Sequence, residues 1–504
     1  MRLIIMLLLV LSQLLAYGKL SNLDTSQAEL ILKGKVVEPS LANNPNQKFE
    51  LRFYVSSLAA NRLTANPPKY TVELKYNEDF EVVIPHKKGI VYLTYGCTAD
   101  AANKVWTFID KVYIVQVDGR TVIDMKIFEN KIVFSGSQFH RLQCQDDVHR
   151  IEYNTTDDND KLTKLASEGK WDSLFEFRDE KEDSILNLRL LVVKKYVKVI
   201  GRMFADTLVA NCYGSRYFLQ FRSMITTIYP TDAIQAFVQR TVFRNLEYSL
   251  PKFDESILVG APIYTDFLFR MISLRNAMGD LNVGAYLQPI FNDIKLNYNG
   301  LIRDKLFALF VLNYSQVPGV LSYAKESRQL IQNASYRDLI EKAIFKLNRG
   351  QPFFPFSLED DKGNIVTLDN LRKKVLFIDF WYTGCSNCAS LKKYLEPFHK
   401  RYEKDSNVVF VTVSIDRDKQ KWLKSIKSGL YTTAKSLNLL ASPQATGENG
   451  RHPLINAYGI TSFPTVMIVK EGQMYESAPP LFDLMKLNAV IDQAINEMMK
   501  KGLP

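Results

Sequence analysis

At 504 residues the chain is too long for one ordinary domain, and its 46% apolar content suffices for several buried cores. The formal charge of +10 is spread along the chain, with no long Lys/Arg block and no basic-aromatic stripe, which argues against nucleic acid as a partner. Five cysteines are too few for a disulfide scaffold.

The chain opens with Arg2, an apolar run over residues 3–15 broken only by Ser12 and Gln13, and Ala16-Tyr17-Gly18. A short positive start, an apolar stretch and a small-X-small site read as a secretory signal peptide over residues 1–18. The alternative is an uncleaved N-terminal anchor, for which the run is short against the roughly 20 residues a span needs. Residues 27–150 then alternate in period two, as in Lys48-Phe49-Glu50-Leu51-Arg52-Phe53. Short strands at this spacing predict an antiparallel β-sandwich-like domain. Asp118-Gly119, between two such runs, predicts a hairpin. Cys97 and Cys144 fall here; they could bridge, or be buried small apolar residues, and with Cys212 an odd thiol remains either way.

Asp157-Asp158-Asn159-Asp160 marks a polar boundary, and over residues 157–348 the period becomes helical. Leu186, Leu190, Val193, Val197 and Ile200 would line one helix face. An all-α middle domain is expected, with Pro230, Pro251, Pro262 and Pro318 as breakers. Residues 349–352 read as a linker to a third domain, residues 350–504. It begins with a hairpin turned at Asp361-Lys362-Gly363.

The chemistry is concentrated in that last domain. The apolar run over residues 375–380 predicts a buried strand, and Leu391, Leu395 and Phe398 suit one helix face. Cys385-Ser386-Asn387-Cys388 lies between them. Two intervening residues let the sulfurs close a disulfide with little backbone movement. The first cysteine then sits at a helix N-terminus, where unpaired N–H groups and the macrodipole favour the thiolate, the form that attacks disulfides. A structural zinc site would need about four ligands. No second Cys-X-X-Cys exists and the five histidines are scattered, so no metal is expected.

Asp379-Phe380-Trp381-X-X-X-Cys385-X-X-Cys388 resembles the active-site strand and helix of the thioredoxin superfamily, and most closely the TlpA/ResA-like extracytoplasmic thiol–disulfide oxidoreductases. A distant second motif agrees: Ile460-Thr461-Ser462-Phe463-Pro464-Thr465 before an apolar strand. The resemblance covers residues 350–504. Gly384 stands where many members have a second tryptophan, and Ser386-Asn387 replaces the commoner Gly-Pro or Pro-Pro. The β-rich and helical regions loosely resemble those placed ahead of thioredoxin modules in Bacteroidetes-type secreted proteins.

The resemblance implies a fold and roles. The chain would be a three-part protein: β-sandwich, all-α domain and α/β thioredoxin fold. Cys385 would be the nucleophile, nearer solvent, and Cys388 the shielded resolving thiol. Asp379 would take the proton from Cys388, a cis Pro464 with Phe463 would face the pair and hold a client strand, and Trp381 would pack beside it. His452 and Glu448 could reach the cleft, though a surface loop is the plainer reading. The activity would be reduction of protein disulfides in a periplasm, with no cofactor beyond the Cys385–Cys388 disulfide. Disulfide-containing clients and a membrane electron donor would be the partners, with homodimerisation through the front domains an option. The rivals are a binding or scaffold protein with a secondary redox domain, and a peroxiredoxin. The latter wants Pro-X-X-X-Thr-X-X-Cys, whereas Thr383 is two residues before Cys385 and the proline is missing.

Overall fold

The computed structural model describes residues 27–37, 48–56, 69–99, 104–106, 111–128, 131–151, 156–226, 251–277, 283–433, 435–441, 452–460 and 462–501. The signal-peptide segment, Pro230 and Glu448 lie outside the described residues. The chain divides into two compact units, residues 1–53 with 70–150 and residues 54–69 with 151–504.

The first unit is sheet-rich. One sheet has the order β4-β1-β8-β9, from Asp79–Lys87, Gln27–Val36, Arg120–Ile127 and Ile132–Gly136. The other has the order β3-β2-β5-β6, from Lys69–Leu74, Phe49–Ser56, Gly89–Ala99 and Lys104–Trp106, with β7 (Tyr113–Val117) paired to β5. Alternating residues of β2 and β8 are buried, as period two requires. Two expectations are corrected. β1 and β8 run parallel, so pairing is not antiparallel throughout; alternation reports one buried face, not strand direction. Asp118-Gly119 joins no hairpin, because β7 pairs with β5 and β8 with β1 and β9. The turn carries the chain from one sheet to the other. The helix α1 (Phe139–His149) is held by Gln145, whose side chain accepts from Ile114 N–H at 2.6 Å and donates to its carbonyl at 3.1 Å. Cys144 is buried on it; the Cys97 side chain lies outside the described residues.

The second unit begins with helices: α2 Thr156–Ser167, α3 Trp171–Ile200, α4 Arg202–Thr226, α5 Glu255–Gly260, α6 Pro262–Ala277, α7 Val283–Asn297, α8 Gly300–Asn313, α9 Val320–Leu330 and α10 Ala334–Leu347. Pro262 opens α6, and Pro318 lies between α8 and α9, as breakers do. Leu186, Val193 and Ile200 of the expected α3 face are buried, and Leu190 and Val197 half-buried. One core, including Phe267, Phe291, Phe307 and Phe310, serves these helices. Cys212 on α4 is buried, and desolvation pushes its thiol up to about 12.

The expected linker is not loose. Gly350 N–H donates to the Met474 carbonyl at 2.8 Å, Met474 N–H to Gln351 at 2.8 Å, and Phe353 N–H to Gly472 at 2.9 Å. Beyond it, a seven-stranded sheet has the order β11-β10-β14-β13-β12-β15-β16. Its strands are β10 Ser357–Asp360, β11 Ile365–Thr367, β12 Val375–Trp381, β13 Val408–Ser414, β14 Leu437–Leu440, β15 Thr465–Lys470 and β16 Gln473–Glu476. β10 and β11 form the expected hairpin. β12, β13 and β14 are parallel neighbours, and β15 lies antiparallel to β12 on its other side. The helices of this region are α11 Ser386–Tyr394, α12 Glu396–Tyr402, α13 Lys419–Ser428, α14 Pro453–Tyr458 and α15 Leu484–Lys501. Val375 and Phe377 pack with Leu391 of α11, Leu395 just after it, and Leu487 and Ile491 of α15, while Leu376, Ile378 and Phe380 fill the core on the opposite face. Among the described residues no helix is long and apolar enough to cross a membrane.

Candidate active site

Every residue of β12 is buried, and its end delivers the chain into the turn before α11. Gly384 in that turn has φ +100°, and a Cβ there would meet nothing within 4 Å. The backbone, not crowding, calls for glycine. Cys385 is the N-cap of α11: its Sγ accepts the Cys388 N–H at 3.1 Å, where a serine or aspartate oxygen would otherwise sit. Cys385 and Cys388 are bridged, with Cα atoms 5.3 Å apart, inside the range that unstrained disulfides use. Cys385 is barely more exposed than Cys388, 3% against 1%. The expected contrast in solvent access is therefore slight.

Asp379 lies on the β12 face that α11 covers. It is in register with Val466 of β15, which belongs to the same core as Phe377 and Leu391. Its side chain is buried and Oδ1 has no hydrogen-bond partner. Desolvation pushes its carboxyl up to about 8, since burial without a counter-charge disfavours the carboxylate. Trp381 is fully buried in one cluster with Cys385, Cys388, Trp422 and Leu440. Phe463 packs against that cluster, and the Phe463–Pro464 peptide bond is cis. The exposed Tyr382 ring meets Phe463 edge-on at 5.5 Å. The structure thus brings Cys385, Cys388, Trp381 and Phe463 together, with Asp379 behind the helix.

His452 is not on a surface loop. It is buried, caps α14 by accepting the Leu454 N–H at 3.2 Å, and its imidazole is held below the usual histidine range by desolvation. Among the described residues, no group of three or more His, Cys, Asp or Glu is placed to hold a metal.

Sequence reasoning missed a second layer. Asp416, just after β13, accepts from Thr383 N–H at 3.1 Å, Thr383 Oγ at 2.6 Å and Ser414 Oγ at 2.9 Å. Thr383 Oγ also lies 2.8 Å from Ser425 Oγ on α13. The threonine proton goes to Asp416, so Ser425 donates. Tyr431 accepts the Gly384 N–H at 3.0 Å and stacks its ring on Trp381 at 4.8 Å. The available signal was Ser414-X-Asp416, polar residues ending an apolar strand beside the motif strand.

Residues 373–475 match the family described as Thioredoxin-like. The match lies within the C-terminal region and spans about a fifth of the chain. The Cys385–Cys388 bridge and the cis Phe463–Pro464 bond fall within the matched residues. The chain is similar to the thioredoxin domain of a thiol-disulfide oxidoreductase from Bacteroides vulgatus, with 24% identity over 29% of this chain and 99% of that one and a TM-score of 0.25. It is also similar to a thiol:disulfide interchange protein from a Bacteroides species, at 24% identity over 29% and 92% with a TM-score of 0.25. A thiol-disulfide oxidoreductase from Bacteroides fragilis gives 20% identity over 30% and 100%, with a TM-score of 0.22. No curated protein matches the chain.

Proposed function

We propose that the protein is an extracytoplasmic thiol–disulfide oxidoreductase that reduces disulfides in client proteins. The observation that carries this reading is the Cys385–Cys388 bridge capping α11. In the reduced protein the Cys385 thiolate attacks one sulfur of a client disulfide, forms a mixed disulfide and expels a client thiolate. Asp379, when ionised, takes the proton from Cys388, whose thiolate attacks Cys385 Sγ. The second client sulfur leaves, and the protein holds the Cys385–Cys388 disulfide. Two electrons have passed to the client, and a membrane electron donor must return two to restore the dithiol. With its carboxyl near 8, Asp379 is about one-tenth ionised at pH 7. It can therefore accept a proton in resolution and return one when the pair is reduced again.

Phe463 and Pro464 form the wall against which an extended client would pair, with Trp381 packed behind the sulfurs. The apolar leader in the sequence supports export to a periplasm. The front regions would bind the client or a second copy of the chain. Ring contacts of Phe53 with Phe80 and of Tyr113 with Phe134 join strands of the two N-terminal sheets, which supports a sandwich there. Trapping tests the order of attack. Cys388→Ser should accumulate client-linked mixed disulfides in cells and Cys385→Ser none; equal trapping by both would overturn the assignment.

A further inference from the structure

The turn that carries Cys385 has its two preceding amides spoken for. Thr383 N–H and Oγ are held by Asp416, and Gly384 N–H by the Tyr431 phenol. The holders come from different elements. Asp416 follows β13 and is itself fixed by Ser414, whose hydroxyl donates to Oδ2 and accepts the Asp416 N–H at 3.1 Å. Ser425 on α13 supports the Thr383 hydroxyl at 2.8 Å, and Tyr431 lies just beyond that helix, stacked on Trp381. Asp416 is buried, where a hydrogen bond counts for more than in water. All of this is present with the sulfurs bridged.

We propose that Asp416 and Tyr431 are positioning residues that favour the bridged state of Cys385 and Cys388, so that the β13–α13 side of the site helps set how readily the pair is reduced. This rests on the exchange activity proposed above. The bridge fixes Cys385 against Cys388. The clamp fixes the residues leading into Cys385, so the two constraints reinforce each other. When the S–S bond opens, Cys385 can leave the cap, and an ordered turn then costs conformational entropy that the bridge no longer shares. Anchors that hold the turn therefore raise the effective concentration of one thiol at the other.

The test is the redox equilibrium of the full-length protein with glutathione. Two glutathione thiols supply two electrons and two protons, the Cys385–Cys388 bond becomes two thiols, and one glutathione disulfide forms. Tyr431→Phe keeps the ring on Trp381 and removes only the phenol that holds Gly384. Asp416→Asn removes an acceptor from Thr383 Oγ. Each should move the equilibrium towards the dithiol by about threefold to tenfold, the worth of one net hydrogen bond. If Asp416→Asn does not fold, Thr383→Val deletes the same hydroxyl bond and should shift the equilibrium in the same direction. A lower Tm with an unmoved equilibrium constant would mean that these bonds brace the fold alike in both redox states, and would overturn the assignment. A shift towards the disulfide would overturn it as well. The wild-type protein separates the two failures. If its pair does not exchange with glutathione, the functional reading falls and the positioning role with it. If it exchanges and the variants match it, only the positioning role falls.

Discussion

The helical region and the thioredoxin-like domain each bury an ionisable group whose pKa is moved to about 8, and the two groups differ in what surrounds them. Lys305 on α8 is fully buried, and desolvation lowers it to about 8 against the opposing pull of the Asp266 carboxylate. Its Nζ donates to the Val259 carbonyl at 2.8 Å. The neighbouring Asp304 accepts with Oδ2 from Gln332 N–H at 2.9 Å and Asn333 N–H at 2.7 Å, and its Oδ1, which has no hydrogen bond, lies 3.8 Å from the Arg303 guanidinium. Asp379 is raised to the same region, yet its Oδ1 has no partner and its strand face is covered by the helix that carries Cys388. A displaced pKa is therefore not the mark of a reactive group. A buried group with a partner locks helices together, whereas a buried carboxyl with an unpartnered oxygen would, under the exchange proposed above, take and return a proton.

That contrast predicts opposite responses to substitution. The largest effect is expected at Lys305. Lys305→Ala would leave a cavity and lose the hydrogen bond to the Val259 carbonyl, at a cost of about 3 kcal/mol in denaturant unfolding. Lys305→Met, which keeps most of the volume, should spare the cavity part of that cost but not the loss of the charge that interacts with Asp266. Disulfide reduction by the folded protein should be unchanged in both. A folded Lys305 variant with a slowed redox step would break the comparison.

Asp379→Asn should do the reverse, slowing resolution of the mixed disulfide by about ten- to a hundredfold near neutral pH. The deficit should close at high pH, where Cys388 ionises unaided. A loss independent of pH would point to packing instead. Stability gives a second reading of the same residue. The folded carboxyl titrates near 8 and the unfolded one near 3.9, so between these values the folded chain keeps a proton that the unfolded chain releases. Stability conferred by this group falls as pH rises across that window, by at most about 1.4 kcal/mol per unit, and levels off above it. In the oxidised protein, the Tm of Asp379→Asn should therefore gain on the wild type from pH 5 to 8. A flat difference would mean that Asp379 is not protonated in the folded state.

The parts of the site legible in the sequence were local. Strand, cysteine pair and helix follow one another within residues 375–398, and the burial of Asp379 followed from apolar neighbours on the same strand. The Asp416 and Tyr431 contacts were not legible, because they span 33 and 47 residues and join side chains with no common pattern. The stretch after α13 carries no plain period, yet β14 within it is an inner strand beside β13. Its four residues are too few to declare a period. Asp118-Gly119 teaches the same lesson in the first unit: a turn signal fixes a change of direction, not the strand that the chain meets next. The apparent linker deceived differently, since Arg349-Gly350-Gln351-Pro352 has the composition of a loop and is pinned by backbone bonds that any residues but proline can make.

The smallest expected effect concerns the division of labour, and the pinned segment decides how to test it. Residues 350–504 keep the bonds of Gly350 and Gln351 to Met474 and of Phe353 to Gly472, and so keep the edge beside β16. They lose Arg349, whose two 2.7 Å bonds to Glu497 are half-exposed, while Lys470 keeps its own bond to the same carboxylate. The hydrophobic clusters of this region draw on residues from Phe353 onward, apart from the helical core. The truncated domain should therefore fold and reduce insulin within about twofold of the full-length rate. It should lose most of its preference among native clients, because binding by the front regions would raise the local concentration of one disulfide near Cys385. Inactivity of the folded fragment on insulin would place part of the active site in the front regions. An unchanged trapping profile would show instead that those regions play no part in choosing the client.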